Sequence, residues 1–287
     1  MNRDCIDLHL HSHFSDGTAS PEGLVRMAVS AGLRAVALTD HDTVEGVEEF
    51  LRAGSACSNL KTLAGLEISA THRDISLHIL GYGIDHTHPS LLSWLARLQE
   101  GRGERNRKIL ARLRAMGHDL RDEDLADLSS RGQAGRPHIA ALLVQRGIVR
   151  SLDEAFTLFL RRGGAAYQGR FTYSAAESID MIHRAGGIAV LAHPGILAGS
   201  AGPLSLLVAE LVERGMDGIE AYYPAHTPEM VRKLVSLGRK YQLVLTGGSD
   251  YHGNHRGFSS MAGAEPGFCP PTGLLEPLLD RMTRSLS

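Results

Sequence analysis

Short apolar runs and amphipathic stretches alternate along the first third of the chain. The β-prone runs are Cys5–Leu10, Arg34–Leu38, Lys61–Ile68 and Ser76–Gly81, and the helical patterns are Pro21–Ala31 and Val44–Ala56. Ser20, Pro21 and Gly32 are residue types expected at the N-cap, the first turn and the C-terminal end of a helix. The alternation is the βα rhythm of a parallel sheet.

The rhythm breaks after about residue 88, because His88 to Arg162 has helical spacing almost throughout. It then resumes with strands at Ile188–Ala192, Asp217–Ala221 and Leu243–Thr246, and with helices at Ser174–Ala185, Pro203–Arg214, Pro228–Tyr241 and Thr272–Met282. We therefore predict an α/β fold in two parts. Residues 1–98 and 163–287 form the βα unit, and residues 99–162 form an inserted helical subdomain that caps the substrate.

Composition narrows the classes of protein. The 287 residues are 43% hydrophobic with a formal net charge of −2, so a full core is expected, whereas stable binding of long nucleic acids through bulk charge is not. The sequence shows neither a leader peptide nor a run that predicts a membrane span. Cys5, Cys57 and Cys269 are far apart, so we expect neither a disulfide framework nor a thiolate zinc site, and we predict a cytoplasmic protein.

An HxH motif ends the first predicted strand. Because side chains alternate faces along a strand, His9 and His11 point the same way and could share a metal ion. Alone, the pair could equally be two surface histidines. Asp16 follows closely in Ser-Asp-Gly, and the second strand ends in Thr-Asp-His-Asp at 39–42. Capping of the next helix would explain one aspartate of that motif but not His41.

Later predicted strands carry further polar residues at or near their ends. These are Glu67, His78, His193, Glu220, Asp250 and His252. Glu67 is a charge within an apolar run, and a buried carboxylate is costly unless it is paired or binds a metal. For His78 alone, a core histidine is at least as good an interpretation as a ligand.

The placing of these residues favours a metal site. Almost all follow predicted parallel strands, on the face where βα barrels assemble their active sites. Imidazole and carboxylate ligands without thiolate suit Mn²⁺, Zn²⁺ or Fe²⁺. We predict a multinuclear site with two or three divalent ions, and Mn²⁺ is the first choice.

Together these motifs resemble the PHP (polymerase and histidinol phosphatase) family of metal-dependent phosphoesterases. The matching segments are Asp-Leu-His-Leu-His-Ser at 7–12, Ser-Asp-Gly at 15–17, Thr-Asp-His-Asp at 39–42, Glu67, His78, Ala-His-Pro-Gly at 192–195 and Ser-Asp-Tyr-His at 249–252. The resemblance implies a distorted (β/α)7 TIM-like barrel with a trinuclear site. It assigns His9, His11, Glu67 and Asp250 to one metal, Glu67, His78 and His193 to a second, and Asp16, His41 and His252 to a third.

The helical insert, with Gly-Arg-Pro-His at 135–138, is similar to the branch of the family that acts on nucleotides. Members of that branch remove the 3′-phosphate of nucleoside 3′,5′-bisphosphates, and some degrade short 5′-phosphorylated oligoribonucleotides. The resemblance thus implies a small nucleotide or a short RNA as substrate. The alternatives are a histidinol-phosphate or other small-molecule phosphatase and, less favoured, a non-catalytic PHP binding module.

Three residues are candidates for contact with the substrate. Arg136 could bind phosphate because its forked donors match that group, with His138 beside it, although both could instead cap and flank the helix after Pro137. His226 is the candidate general acid, or else a surface residue. A basic stretch is predicted to be the solvated face of a helix rather than a guide for a nucleotide chain: Arg102, Arg105, Arg107, Lys108, Arg112 and Arg114.

Overall fold

The computed structural model describes residues 4–128, 134–197, 202–253, 260–263 and 267–285 as a mixed α/β fold with a curled sheet. The strands are β1 (Ile6–Leu10), β2 (Ala35–Leu38), β3 (Lys61–His72), β4 (Ile75–Tyr82), β5 (Tyr173–Ser174), β6 (Ile188–Leu191), β7 (Gly218–Tyr222) and β8 (Val244–Gly247). Their order is β1-β2-β3-β4-β6-β7-β8, and β5 pairs with β3. The segment after β8 returns to β1, where the His11 N–H donates to the Tyr251 carbonyl at 3.0 Å.

Helices connect the strands. They are α1 (Pro21–Ala31), α2 (Val47–Ser55), α3 (Pro89–Ala115), α4 (Asp122–Leu128), α5 (Arg136–Gln145), α6 (Leu152–Ala155), α7 (Ala175–Arg184), α8 (Leu204–Val212), α9 (Pro228–Tyr241) and α10 (Leu275–Ser285). The predicted bounds of α1 are confirmed, because Ser20 Oγ accepts from the Gly23 N–H and Gly32 adopts the left-handed conformation with φ 72°. No helix of the described residues is long and apolar enough to cross a membrane.

One strand overturns the prediction of a parallel sheet. β4 pairs antiparallel with both β3 and β6. Arg73 and Asp74, with φ 47° and 64°, form the two-residue connection between β3 and β4, the backbone of a tight hairpin turn. Asn-Gly or Asp-Gly, the usual signals for this turn, do not occur here. β3 consequently runs on to His72, so Glu67 lies within the strand rather than at its end.

Two apolar clusters hold the sheet. The larger lies between the sheet and its flanking helices and includes Leu24 of α1, Phe50 of α2 and Ile182 of α7. The other gathers side chains of the strands, among them Leu8 and Tyr82, and Leu278 of α10 packs with them. Apolar side chains are thus buried on both faces of the sheet. The polar residues considered below lie at one end of it.

The helices after β4 have a third core of their own, which includes Ile109, Leu113, Ile139 and Leu160. α3 contributes to two cores, since its first half packs Leu91, Leu95 and Leu98 against the helices that cover the sheet. The helix therefore runs unbroken through residue 99, where the inserted subdomain is predicted to begin.

The expectation that the cysteines form no disulfide was wrong. Cys5 and Cys269 form a disulfide, with Cα atoms 5.1 Å apart, and Cys57 is free. The segment before α10 lies along the start of β1, where the Ile6 N–H donates to the Pro270 carbonyl at 3.0 Å. This long-range pairing brings together two residues that are 264 positions apart, so their spacing in the sequence carried no signal.

Candidate metal centre

The nine residues predicted as metal ligands lie together at one end of the curled sheet. They come from β1 and the loop after it (His9, His11, Asp16), the loop after β2 (His41), β3 (Glu67), β4 (His78), the turn after β6 (His193) and the loop after β8 (Asp250, His252). All are buried except His78, whose side chain is 28% exposed. Distant segments thus converge on one compact, largely buried cluster.

The donor atoms fall into overlapping groups that could each hold a metal ion. Within each group the atoms lie within 4.8 Å of one another, and the groups are His9, His11, Glu67 and Asp250; His11, Asp16, His41 and His252; and His41, Glu67 and His78. The first group equals the predicted first set. The second adds His11 to the predicted third set, and the last contains His41 where His193 was predicted.

Glu67 lies at the middle of the cluster and faces five imidazole rings. Its Oε2 lies 3.5 Å from His9 Nε2, 3.3 Å from His11 Nε2 and 2.8 Å from His41 Nδ1, and its Oε1 lies 2.8 Å from His78 Nδ1 and 3.0 Å from His193 Nε2. A carboxylate with both oxygens shared in this way can bridge two cations. His193 therefore lies close to the predicted second metal position, because it contacts Glu67, a residue of that set.

Two aspartates flank this glutamate. Asp250 Oδ1 lies 3.1 Å from His11 Nε2 and 3.5 Å from His9 Nε2. On the other side, Asp16 Oδ1 lies 3.1 Å from His252 Nε2 and 3.8 Å from His41 Nε2. The acids and imidazoles therefore alternate across the cluster.

Several buried polar atoms make no hydrogen bond among the described residues. They include Nε2 of His9, both ring nitrogens of His11, Oδ1 of Asp16 and Oε2 of Glu67. A buried unsatisfied polar group costs roughly 1–3 kcal/mol, and such groups are rare unless an ion or water meets them. Imidazole and carboxylate donors aimed at a common space fit divalent cations.

Burial and local charges hold His11 and Glu67 in the form that a metal needs. Burial and the nearby His252 and His41 hold the pKa of His11 well below its usual value. Burial alone would raise the pKa of Glu67, but the surrounding His78, His41 and His9 hold it well below its usual value. Neutral imidazole and ionised carboxylate are the forms that bind metal ions.

His9 differs from His11 because acids surround it. Burial would lower its pKa, but Glu220, Glu67 and Asp250 raise it well above the usual value. A proton on this ring occupies the place of a positive charge that a metal ion would supply.

Two buried carboxylates that were not predicted as ligands hold the ligand segments in place. Glu220 accepts from His9 Nδ1 at 3.0 Å and from the His193 N–H at 2.6 Å. Asp7 accepts from the N–H groups of Ser249 and Ala262, both at 2.8 Å, and so ties β1 to the chain after β8. Such outer partners fix the tautomer and orientation of metal ligands.

Asp40 and Asp42, the two aspartates of the Thr-Asp-His-Asp motif, do not cap the helix that follows. α2 begins at Val47 without a side-chain cap. Asp40 accepts from the Ser12 N–H at 2.7 Å and from the hydroxyls of Ser12 and Ser15, which shapes the loop after β1. Asp42 accepts from the Ser69 N–H and pairs with two arginines, Arg102 and Arg170. The capping interpretation was therefore wrong for both residues.

Backbone strain coincides with the centre. His193 and Asp250 have positive φ angles of 29° and 54°, a backbone conformation that residues other than glycine rarely adopt. Such conformations typically cost about 1–3 kcal/mol and cluster at functional sites, where the surrounding structure enforces them.

The three candidate substrate residues have these surroundings. Arg136 is partly buried, and its Nη1 donates to the Leu160 carbonyl at 3.3 Å. His138 is buried, and its Nδ1 accepts from the Gly135 N–H at 3.0 Å at the start of α5, which matches the capping alternative. His226 uses both ring nitrogens: Nε2 accepts from the Gly195 N–H and Nδ1 donates to the Ala221 carbonyl. In this arrangement the ring is neutral, and its single proton, on Nδ1, is already used in the hydrogen bond to Ala221.

Comparison with known proteins agrees with this geometry. Residues 7–155 match the PHP domain family. The chain is 36% identical over 250 residues to the 5′-3′ exoribonuclease Rnm of Escherichia coli, covering 86% of this chain and 84% of that one. It is 31% identical over 269 residues to the 3′,5′-nucleoside bisphosphate phosphatase of Chromobacterium violaceum, covering 93% and 94%. A solved Bifidobacterium adolescentis protein, described as a candidate metal-dependent phosphoesterase, superposes with TM-score 0.86, 29% identity and 96% coverage of both chains.

The chain therefore belongs to the PHP domain family. Within that family it is a metal-dependent phosphoesterase, because its cluster of metal-ligating side chains matches the chemistry named for its relatives.

Proposed function

We propose that the protein hydrolyses the 3′-phosphate of nucleoside 3′,5′-bisphosphates, such as adenosine 3′,5′-bisphosphate to AMP and phosphate. We propose further that it trims short 5′-phosphorylated oligoribonucleotides. The observation that carries the proposal is the buried cluster of nine imidazole and carboxylate side chains. It lies in a chain that aligns almost end to end with the bisphosphate phosphatase of C. violaceum.

In this proposal the cluster binds up to three divalent ions. His9, His11, Glu67 and Asp250 hold the first, Glu67, His78 and His193 the second, and Asp16, His41 and His252 the third. The distances from Glu67 to all five of its imidazoles support its bridging place. The donor set suits Mn²⁺ first, with Zn²⁺ or Fe²⁺ as alternatives.

Ions bound there would supply an activated water near neutral pH and positive charge for the phosphoryl oxygens. The protein's own part is to orient and to exclude water. Glu220 holds the His9 ring through Nδ1, so that Nε2 faces the cluster. Burial of the ligands keeps bulk water out and strengthens each electrostatic contact.

Arg136 and His138 are the proposed phosphate contacts at the start of α5. The guanidinium of Arg136 is well suited to a phosphate group of the substrate, and its partial burial supports that role. A general-acid role for His226 stays a prediction. Its Nε2 has to exchange the Gly195 N–H for a proton before it can donate one.

The finer architecture is part of the same proposal. We take the curled sheet as a distorted (β/α)7 barrel and residues 99–162 as the helical subdomain that caps the substrate. The separate apolar core around Ile109 and Ile139 supports a distinct helical unit. The ion pair between Asp42 and Arg102 of α3 supports contact between this unit and the candidate metal centre.

Product analysis tests the substrate. Mn²⁺-loaded protein is given adenosine 3′,5′-bisphosphate, a 5′-phosphorylated oligoribonucleotide or histidinol phosphate, and the products are separated by chromatography. We expect AMP and phosphate from the first and mononucleotides from the second, with both lost in Glu67→Gln. Exposed Glu104→Gln is the matched control. Turnover of histidinol phosphate alone would overturn the nucleotide proposal in favour of the small-molecule phosphatase.

A further inference from the structure

Four arginines gather beside the metal centre. Arg102 and Arg105 lie on α3, Arg136 begins α5, and Arg170 precedes β5. Arg102 and Arg105 are 7% and 5% exposed, which is unusual for charged side chains. The charges act on one another: burial, together with Arg102, Arg170 and Arg136, lowers the pKa of Arg105 well below its usual value. We call these four residues the arginine pocket.

The positive charge of this pocket is only partly balanced. Asp42 Oδ2 pairs with Arg102 Nη2 at 2.5 Å and with Arg170 Nη1 at 2.8 Å. Within the described ranges, neither Arg105 nor Arg136 has an ion pair. Arg105 donates instead to Asn106 Oδ1, at 2.9 and 3.2 Å. Removing several charges from water is expensive unless opposite charges compensate them.

One guanidinium nitrogen is also unsatisfied. Arg102 Nε is buried and makes no hydrogen bond among the described residues. A buried guanidinium normally uses its donors, because each donor left unpaired costs free energy. The pocket thus has both excess positive charge and an unused buried donor, and two of its members, Arg136 and Arg170, are partly exposed to solvent. An anion would satisfy both.

The pocket adjoins the metal centre. A methyl group placed on Gly135 would lie 3.4 Å from Arg102 Nη1 and 3.9 Å from Asp16 Cβ, so this glycine sits between the two. Asp42 follows His41, whose Nδ1 lies 2.8 Å from Glu67. A molecule with two phosphate groups could therefore place one at the metal centre and the other in the pocket.

We propose that the arginine pocket binds a second phosphate group of the substrate, one that is not hydrolysed. The inference rests on the proposed function, in which this group is the 5′-phosphate of the bisphosphate or of the RNA end. The forked guanidinium donors match phosphate oxygens. Asp42 is a positioning residue that holds the guanidinium groups of Arg102 and Arg170 for the incoming anion.

Specificity measures this role. The experiment compares kcat/KM for adenosine 3′,5′-bisphosphate with kcat/KM for adenosine 3′-monophosphate in the Mn²⁺-loaded protein. We expect the wild type to prefer the bisphosphate. In Arg105→Gln and Arg170→Gln the ratio of the two values falls roughly 10- to 100-fold, because a hydrogen bond to a charged group is lost. Exposed Arg107→Gln on the same helix keeps the wild-type ratio. Arg170→Lys, which retains the charge without the fork, falls between them.

Binding of AMP to the metal-stripped protein gives a readout that does not need turnover. Calorimetry is expected to show AMP binding that Arg170→Gln weakens and Arg107→Gln does not. If no nucleotide is hydrolysed but this difference holds, the proposed function fails and the pocket stands. If the wild type hydrolyses both nucleotides with equal kcat/KM, or if the arginine variants leave the ratio unchanged, the pocket is overturned while the phosphatase stands.

Discussion

The metal centre and the arginine pocket lie side by side but carry opposite excess charge. The metal centre turns Asp16, Glu67 and Asp250 toward imidazole rings and leaves buried acceptors for cations. The arginine pocket gathers four guanidinium groups, of which Arg102 and Arg170 pair with Asp42, and it leaves a buried donor for an anion. Each region is incomplete in the folded chain alone, and each would be completed by a ligand of the other sign. Two phosphates of one substrate could engage both regions.

Removal of metal should separate the two regions most strongly. Chelation is expected to lower phosphate release by at least about 10³-fold, because activated water and the charge on the phosphoryl oxygens are both lost. Mn²⁺ should restore it. AMP binding to the arginine pocket should persist, since no arginine is a metal ligand. Metal content by mass spectrometry, assayed with turnover, checks this, and full turnover by protein proven free of metal would contradict it.

Replacement of Asp42 tests how far the arginine pocket depends on this carboxylate, which pairs with Arg102 and Arg170. Asp42→Asn should reduce the free energy of unfolding of the metal-free protein by about 3–5 kcal/mol, because the buried Arg102 and the largely buried Arg170 are left without a counter-charge. Urea denaturation measures the change. Asp180→Asn is the matched control, since its pair with Arg184 is exposed and should matter by less than about 1 kcal/mol. Equal losses in the two variants would refute the inference.

The same pair predicts a dependence on pH. Burial alone would raise the pKa of Asp42, but Arg170, Arg102 and the Ser69 N–H hold it well below the ordinary value of 3.8. A folded pKa below the unfolded one means that this stabilisation is full above pH 3.8 and is lost as the pH falls toward the folded value. The wild type should therefore lose stability below about pH 4 more steeply than Asp42→Asn does.

The two regions also differed in how far the sequence revealed them. The predicted metal ligands stand in short motifs in or next to strands, and all nine lie together in the structure. Of the arginine pocket, Arg136 was predicted as a phosphate contact, but Arg102 and Arg105 were wrongly expected on a solvated helix face, because charges on a helix usually face solvent. Yet Arg102 and Arg105 occupy the same face as Leu98 and Ile109, at spacings of three and four, and that placing was the signal for burial.

The fold divides in the same way. Local signals found α1, because its caps are encoded within a few residues. Long-range pairing was invisible: the antiparallel direction of β4 depends on a hairpin turn at Arg73 and Asp74 without the usual turn residues. The Cys5–Cys269 disulfide depends on the path of the chain after β8.

Glu220 tests whether the metal centre relies on residues beyond its ligands. Glu220→Gln should weaken metal affinity about 10- to 100-fold, because the His9 ring loses its charged partner and with it part of its basicity. Calorimetric titration with Mn²⁺ measures the affinity. Glu210→Gln is the control. Glu210 also pairs with a histidine, since its Oε2 lies 2.7 Å from His72 Nε2, but that histidine is not part of the metal centre. Unchanged affinity in Glu220→Gln would limit the centre to its direct ligands.

Replacement of His226, which lies beside the metal centre, is expected to have the smallest effect on turnover. If the ring only links Gly195 to Ala221, His226→Asn costs about 0.5–1.5 kcal/mol of stability for a lost hydrogen bond and leaves turnover nearly intact. If it donates a proton to the leaving oxygen, turnover falls about 10²- to 10⁴-fold, and 4-nitrophenyl phosphate, whose leaving group needs no proton, is spared. We expect the first result, because the Gly195 N–H occupies Nε2 and burial lowers the pKa of the ring. A loss confined to poor leaving groups would instead place His226 among the catalytic residues.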